Sequence, residues 1–224
     1  MLKIHGVPIS VHTRKVVVTA IEKSIKFDLD PVIPLNPPAG FRDISPLGKI
    51  PVITDGKFSL ADSSVICAYL ERLHPEPSIY PKSPQDYAQA LWIEEYVDGA
   101  LSQDVLGAFF QKIIRPKVMQ EKSDNALIEQ IVSTSLPPKL DYVERLVSGD
   151  YLVGSQFSIA DITLASSLIN WKYAGFQLDA RRNPKLCAYL AKIVRHRSLA
   201  QALTAEAPAA DGMGLDRSFL ASQR

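Results

Sequence analysis

Two clusters in the chain carry side chains able to do chemistry. Ser10 and His12 stand at the start of one helical pattern, and Asp62, Ser63 and Ser64 open another. A serine near a histidine raises nucleophilic hydrolysis, but no G-x-S-x-G elbow surrounds Ser10 and no acid is placed to orient His12. Taken alone, Ser10 reads as a helix cap and His12 as a surface histidine at a helix start. Asp62 and Ser63 are capping types too, and a helix N-terminus with free N–H groups also suits a carboxylate. With the Ile50-Pro51 step and a sheet edge close by in sequence, that helix start suits a short peptide carrying a carboxylate. Cys67 and Cys187 are the only cysteines, each inside an apolar helical pattern, and read as buried free thiols. His5, His74 and His196 show no ligand spacing with His12 or either cysteine, so no metal is expected.

Short elements must position these groups. Leu2 to His5 alternates apolar and polar, Val16, Val17, Ala20 and Ile21 mark one helix face, and Phe27 and Leu29 alternate with Asp28 and Asp30. Strand, helix, strand implies a parallel pair with a right-handed crossover. Residues 34–46 are proline-rich and leave room for one short helical turn near Arg42. Val52 and Ile53, then Asp55-Gly56, then Phe58 and Leu60 predict a hairpin. Ile66, Tyr69, Leu70 and Leu73 follow at i, i+3, i+4 and i+7, a buried helix face.

Prolines at 75, 77, 81 and 84 mark residues 75–84 as a linker between a first domain, 1–74, and a second, 85–224. The second domain reads as all helical. Its first helix runs from Leu91 through Phe110, bends near Gly99 and ends around Arg115-Pro116, and a second is kinked or broken at Pro137-Pro138. Phe157-Ser158-Ile159-Ala160-Asp161-Ile162 combines a capping-box-like pair with a hydrophobic staple and leads into an almost wholly apolar helix. Asn183-Pro184 opens the last main helix, and from about Thr204 the tail loses periodicity.

Composition narrows the partners. The 224 residues have net charge +1, with 46% apolar and 22% charged side chains, so no overall field draws nucleic acid or an anionic membrane. MLKIHGVP is already a strand pattern rather than a signal peptide or membrane span, and the expected location is cytoplasmic.

In this order of parts the chain resembles a cytosolic glutathione transferase. Ser45-Pro46-Leu47-Gly48-Lys49-Ile50-Pro51 is similar to the family's Asn-Pro-x-Gly-x-Val-Pro segment. Asp62-Ser63 and the Phe157 to Ile162 motif fall on the expected elements, and Pro8-Ile9-Ser10 resembles the serine-type branch that includes the phi, theta and zeta classes. The resemblance implies a thioredoxin-like α/β domain with a mixed sheet followed by an all-α domain, acting as a homodimer. It also implies glutathione as cosubstrate, lying extended against Lys49, Ile50 and a cis Pro51. The same resemblance puts the γ-glutamyl ammonium near Asp62 and its carboxylate at Ser63. Ser10 would then donate a hydrogen bond to the sulfur. A hydrophobic electrophile would sit beside Val11 and His12, with Val105, Phe109, Phe110 and Tyr173 of the helical domain as candidates, most of them expected to be core because an apolar stripe at helical spacing usually is. Asp62 is one methylene shorter than the family's frequent glutamate, and Lys49 replaces the glutamine of some classes.

Two rival readings share this fold. A glutathione-dependent thiol reductase or isomerase needs a cysteine where Ser10 stands, because a hydroxyl forms no mixed disulfide. A non-catalytic glutathione-binding or scaffold protein needs no activating group at all.

Overall fold

In a computed structural model, described here over residues 1–221, β1 (Leu2–His5) and β2 (Phe27–Asp30) pair in parallel, joined by the crossover helix α1 (Val11–Glu22). β3 (Val52–Asp55) runs antiparallel to β1 and turns into β4 (Phe58–Ala61), giving a mixed sheet of order β2-β1-β3-β4. Gly56 takes the turn at φ 60°, a left-handed conformation open to glycine without steric cost. The short α2 (Phe41–Ile44) interrupts the proline-rich loop, and α3 (Ser63–Leu73) buries Ile66, Cys67 and Leu70.

The linker is stapled down rather than loose. Lys23 Nζ donates to the carbonyls of His74 (2.7 Å) and Pro77 (3.0 Å), and Glu71 accepts from the Ser78 hydroxyl and the Ile79 N–H. Ile79 and Tyr80 are buried, and the Ile79 carbonyl accepts from Ile159 N–H at 2.8 Å. The linker thereby joins the core on which both units pack.

α4 (Pro84–Tyr96) and α5 (Ser102–Phe109) are joined by a π-helical turn, Val97–Leu101, which contains the expected bend at Gly99. A second π-helical stretch, Phe110–Met119, carries the helix past its expected end with Pro116 inside it. Proline has no N–H to donate, and the widened turn absorbs the missing bond. α6 (Asn125–Gln130) and α7 (Pro137–Leu146) flank a third π turn, Ile131–Ser135, at the expected break.

Asp161 explains how α8 (Ile159–Tyr173) starts. Its carboxylate accepts from Ser158 N–H (2.9 Å), Ser158 Oγ (3.0 Å), Leu152 N–H (2.9 Å) and Tyr189 Oη (2.8 Å). α8 is buried along nearly its whole length and packs against α1, α4 and α5. α9 (Pro184–Ile193) and α10 (Arg197–Ala205) follow.

The stretch beyond residue 204 differs from its sequence pattern. It forms α11 (Ala207–Gly212) and α12 (Ser218–Ala221), buries Ala210 and Leu215, and sets Phe219 against Tyr173. Small residues carry little apolar contrast, so its periodicity is faint in sequence although it packs. One hydrophobic cluster runs from Ile4 and Val18 through α1 to Leu101 and Leu168. α1, packed on α3, α8 and α10, is the element both units share.

Candidate active site

Ser10 ends a tight turn and starts α1. Its N–H donates to the Val7 carbonyl at 3.1 Å, and its carbonyl accepts from Arg14 N–H at 2.8 Å. Its Oγ accepts a long 3.4 Å bond from Thr13 N–H, the capping contact expected of a serine with extended backbone (φ −71°, ψ 132°). That bond uses a lone pair of the hydroxyl and leaves its hydrogen free to donate. Gly6 lets this turn form, since a Cβ there would stand 2.4 Å from Thr13 Oγ1.

The 45–51 segment leads into β3, the strand paired with β1. Ser45 Oγ donates to the Lys49 carbonyl at 2.7 Å, Gly48 turns the chain at φ 65°, and the Ile50-Pro51 peptide is cis. Lys49 is exposed and Ile50 half-buried. Asp62, which follows β4, has φ 77° and ψ 125°, an unusual backbone for a residue with a side chain. Its Oδ1 caps α3 by accepting from Ser64 N–H (3.0 Å) and Val65 N–H (3.2 Å). Neither bond uses the N–H of the buried Ser63.

A polar cluster underlies both. The wholly buried Lys15 ammonium stands 2.6 Å from Glu94 Oε1, 2.7 Å from Asp98 Oδ2 and 2.8 Å from Ser64 Oγ. Burial alone would depress this ammonium, but Asp98 and then Glu94 more than offset that and hold its pKa above the ordinary value. His12 Nδ1 lies 3.7 Å from Asp98 Oδ1. Burial pulls the imidazole below its usual 6.5, Lys15 and Lys49 add to that, and Asp98 and Asp62 oppose it. Lys15 of α1 and Ser64 of α3 meet at 2.8 Å, which brings the starts of these two helices together.

Sequence reasoning missed Lys15, Glu94 and Asp98, and read Ser64 only as part of a helix opening. The available signal was charge on apolar faces: Lys15 precedes Val16 and Val17, and Glu94 follows Ile93, with Asp98 four residues on.

The expected apolar wall is only partly present. Val11, Val105 and Phe109 are buried in the core, and Phe110 is half-buried. Tyr173 is 1% exposed, and its hydroxyl donates to Glu206 at 2.6 Å. Val105 and Phe109 belong to the stripe that α5 turns toward α8, and Tyr173 stands on α8 itself. Cys67 is a free thiol 3.2 Å from Thr19 Oγ1, and burial pushes its pKa up to about 12.

The family model described as the glutathione S-transferase N-terminal domain matches residues 4–78, and the one described as the C-terminal domain matches residues 108–206. Glutathione S-transferase DHAR2 of Arabidopsis thaliana is 29% identical over 163 residues, covering 72% of this chain and 67% of that one. Glutathione S-transferase theta-1 of Bos taurus is 29% identical over 162 residues, covering 68% of this chain and 64% of its own length. Among solved structures, human glutathione S-transferase T1-1 in its apo form is similar at TM-score 0.82 and 23% identity, covering 100% of both chains. Glutathione transferase F2 from Populus trichocarpa gives TM-score 0.81 at 21% identity, over 93% of this chain and 100% of that one. Likeness at this identity establishes the fold.

Proposed function

The chain belongs to the glutathione S-transferase family, and from that premise we infer that it activates the thiol of glutathione for attack on a small hydrophobic electrophile. The observation that carries this reading is the Ser10 hydroxyl, which caps α1 through a lone pair and keeps its hydrogen to donate. A free thiol has a pKa near about 8.5 and is only a few per cent thiolate at neutral pH. Lowering that value by one to two units takes roughly 1.4–2.7 kcal/mol, and a hydrogen bond to a charged group contributes about 1.5–3 kcal/mol. One hydroxyl, with the dipole of the α1 N-terminus behind it, is of the right size.

Glutathione would lie along Lys49, Ile50 and Pro51 and end at Asp62 and Ser63. The Ser63 N–H and hydroxyl suit its γ-glutamyl carboxylate, and the Asp62 carboxylate suits its ammonium. The unusual Asp62 backbone supports this reading, because strain of that kind gathers at ligand clamps. The electrophile would border Val7, His12 and Phe110. Phe58 packs on Tyr69 at a ring separation of 5.3 Å, and Val65, one turn before Tyr69, is 51% exposed, so β4 and α3 present an apolar face that a second copy would cover in a homodimer. Among the described residues no helix is long and apolar enough to cross a membrane.

Ser10→Ala tests the reading. Conjugation rate on an electrophile panel should fall by on the order of 10–100-fold with glutathione affinity mostly kept, a pattern expected of a group acting on the reacting atom. The pKa of the bound thiol, followed by ultraviolet difference absorption, should rise towards the free value. Unchanged rate and unchanged thiol pKa would overturn it, and tight glutathione binding without turnover in the native protein would favour the scaffold reading.

A further inference from the structure

Ile9, the residue before Ser10, is tied to the far side of the molecule. Its carbonyl accepts from Asn170 Nδ2 on α8 at 3.1 Å, and Asn170 is 1% exposed. Asn170 Oδ1 accepts from Arg14 Nη1 at 2.8 Å, and the same guanidinium nitrogen donates to the Ser166 carbonyl at 2.8 Å. Arg14 Nε and Nη2 hold the Glu206 carboxylate at 2.9–3.0 Å, and Tyr173 Oη donates to it at 2.6 Å. Glu206 stands between α10 and α11. A buried chain of hydrogen bonds therefore runs from the last third of the sequence to the peptide that carries Ser10.

Asparagine is the link in that chain because its amide both accepts and donates. An aspartate at 170 could accept from Arg14 but could not donate to the Ile9 carbonyl, and an apolar residue could do neither. Arg14 Nη2 itself reaches the Ile9 carbonyl only at 3.5 Å, so Asn170 makes the short contact. The Ile9 carbonyl and the Ser10 N–H belong to one planar peptide, which restricts Ser10 to rotation about its own φ. With the Ser10 N–H held by Val7 and its carbonyl by Arg14, fixing Ile9 completes the anchoring of that residue.

We propose that Asn170 is a positioning residue for Ser10: by holding the Ile9 carbonyl it sets where the Ser10 hydroxyl is presented to the glutathione sulfur. The helical domain thereby tunes thiol activation through the backbone rather than by touching substrate. The inference rests on the reading of Ser10 as the thiol's hydrogen-bond donor.

The test measures bound-thiol pKa, kcat and KM for glutathione in Asn170→Ala and Asn170→Asp, each with and without Ser10→Ala. Asn170→Asp keeps volume and the Arg14 contact, and serves if the alanine variant does not fold. The expected result is a rise of about half a unit to one unit in thiol pKa and a roughly three- to tenfold fall in kcat, with KM for glutathione within about twofold. In the Ser10→Ala background the same substitutions should add nothing further. A folded Asn170 variant with native thiol pKa overturns the inference, as does an equal loss of kcat with and without Ser10. If Ser10→Ala itself leaves the thiol pKa unchanged, the thiol-activation reading fails instead, so the two failures are distinct.

Discussion

The Lys15 ammonium and the Asp98 carboxylate meet at 2.7 Å between α1 and the π turn that follows α4. The π turn decides this contact as much as the charges do. Glu94 lies in regular helix and Asp98 in the widened turn, and both reach the same buried ammonium. Two carboxylates thus share one lysine, and His12 Nδ1 lies 3.7 Å from Asp98 Oδ1.

His12 should make stability depend on pH. Its folded pKa lies below the ordinary 6.5, first because of burial, with Lys15 and Lys49 adding and Asp98 and Asp62 opposing. The unfolded chain takes up the proton near pH 6.5 while the folded one resists. The contribution is thus full above that value and is lost as pH falls through the lower folded pKa. Urea unfolding of the native protein and His12→Gln, compared at about pH 7.5 and about pH 5, should show a smaller acid loss in the variant. Burial lowers His196 likewise, with Glu22 opposing and Arg197 adding, so part of the acid loss should persist. Equal losses in the two proteins would exclude His12.

Glu206→Gln should be strongly destabilising. It leaves the fully buried Arg14 guanidinium without its paired carboxylate, and breaking a buried pair from one side costs about 3–5 kcal/mol. The double variant Arg14→Met with Glu206→Met should regain only part of this, because Asn170 Oδ1, the Ser166 carbonyl and Tyr173 Oη all lose partners. Denaturant midpoints of the two variants and the native protein measure this, and a Glu206→Gln loss below about 1 kcal/mol would contradict it.

Asp62→Gly should separate folding from binding. Glycine accepts φ 77° without strain, and an Asp-to-Gly change at a helix cap costs only a few tenths of a kcal/mol, so stability should stay within about 1 kcal/mol of native. Glutathione affinity, measured calorimetrically, should fall by on the order of tenfold because the carboxylate that suits the ammonium is gone. Retained affinity would remove Asp62 from the γ-glutamyl site.

How much of this was legible beforehand follows the range of the interactions. The strand alternation of β1, the Gly56 turn, the Asp62 and Asp161 caps and the Pro137 break are set by neighbours within a few residues, and each can be read from the chain. The helical packing of the tail could not, because small residues carry little pattern, and the three π turns have no local signature as clear as a proline or a glycine cap. Tyr173 and Val105 have the composition of a pocket wall, but whether an apolar stripe faces a ligand or a neighbouring helix depends on how α5 and α8 are rolled against each other.

The sequence by itself determined most of the elements and their order, because hydrophobic period, turn chemistry and capping act locally, and its motifs carried the resemblance to the family. Only the tertiary structure decided which charges meet. Arg14 and Glu206 are separated by 192 residues, and Asn170 reaches Ile9 across 161. No local propensity encodes such pairs. They exist because α1 is packed between α8 and α10, where a buried guanidinium, amide or ammonium must find its partner or be expelled.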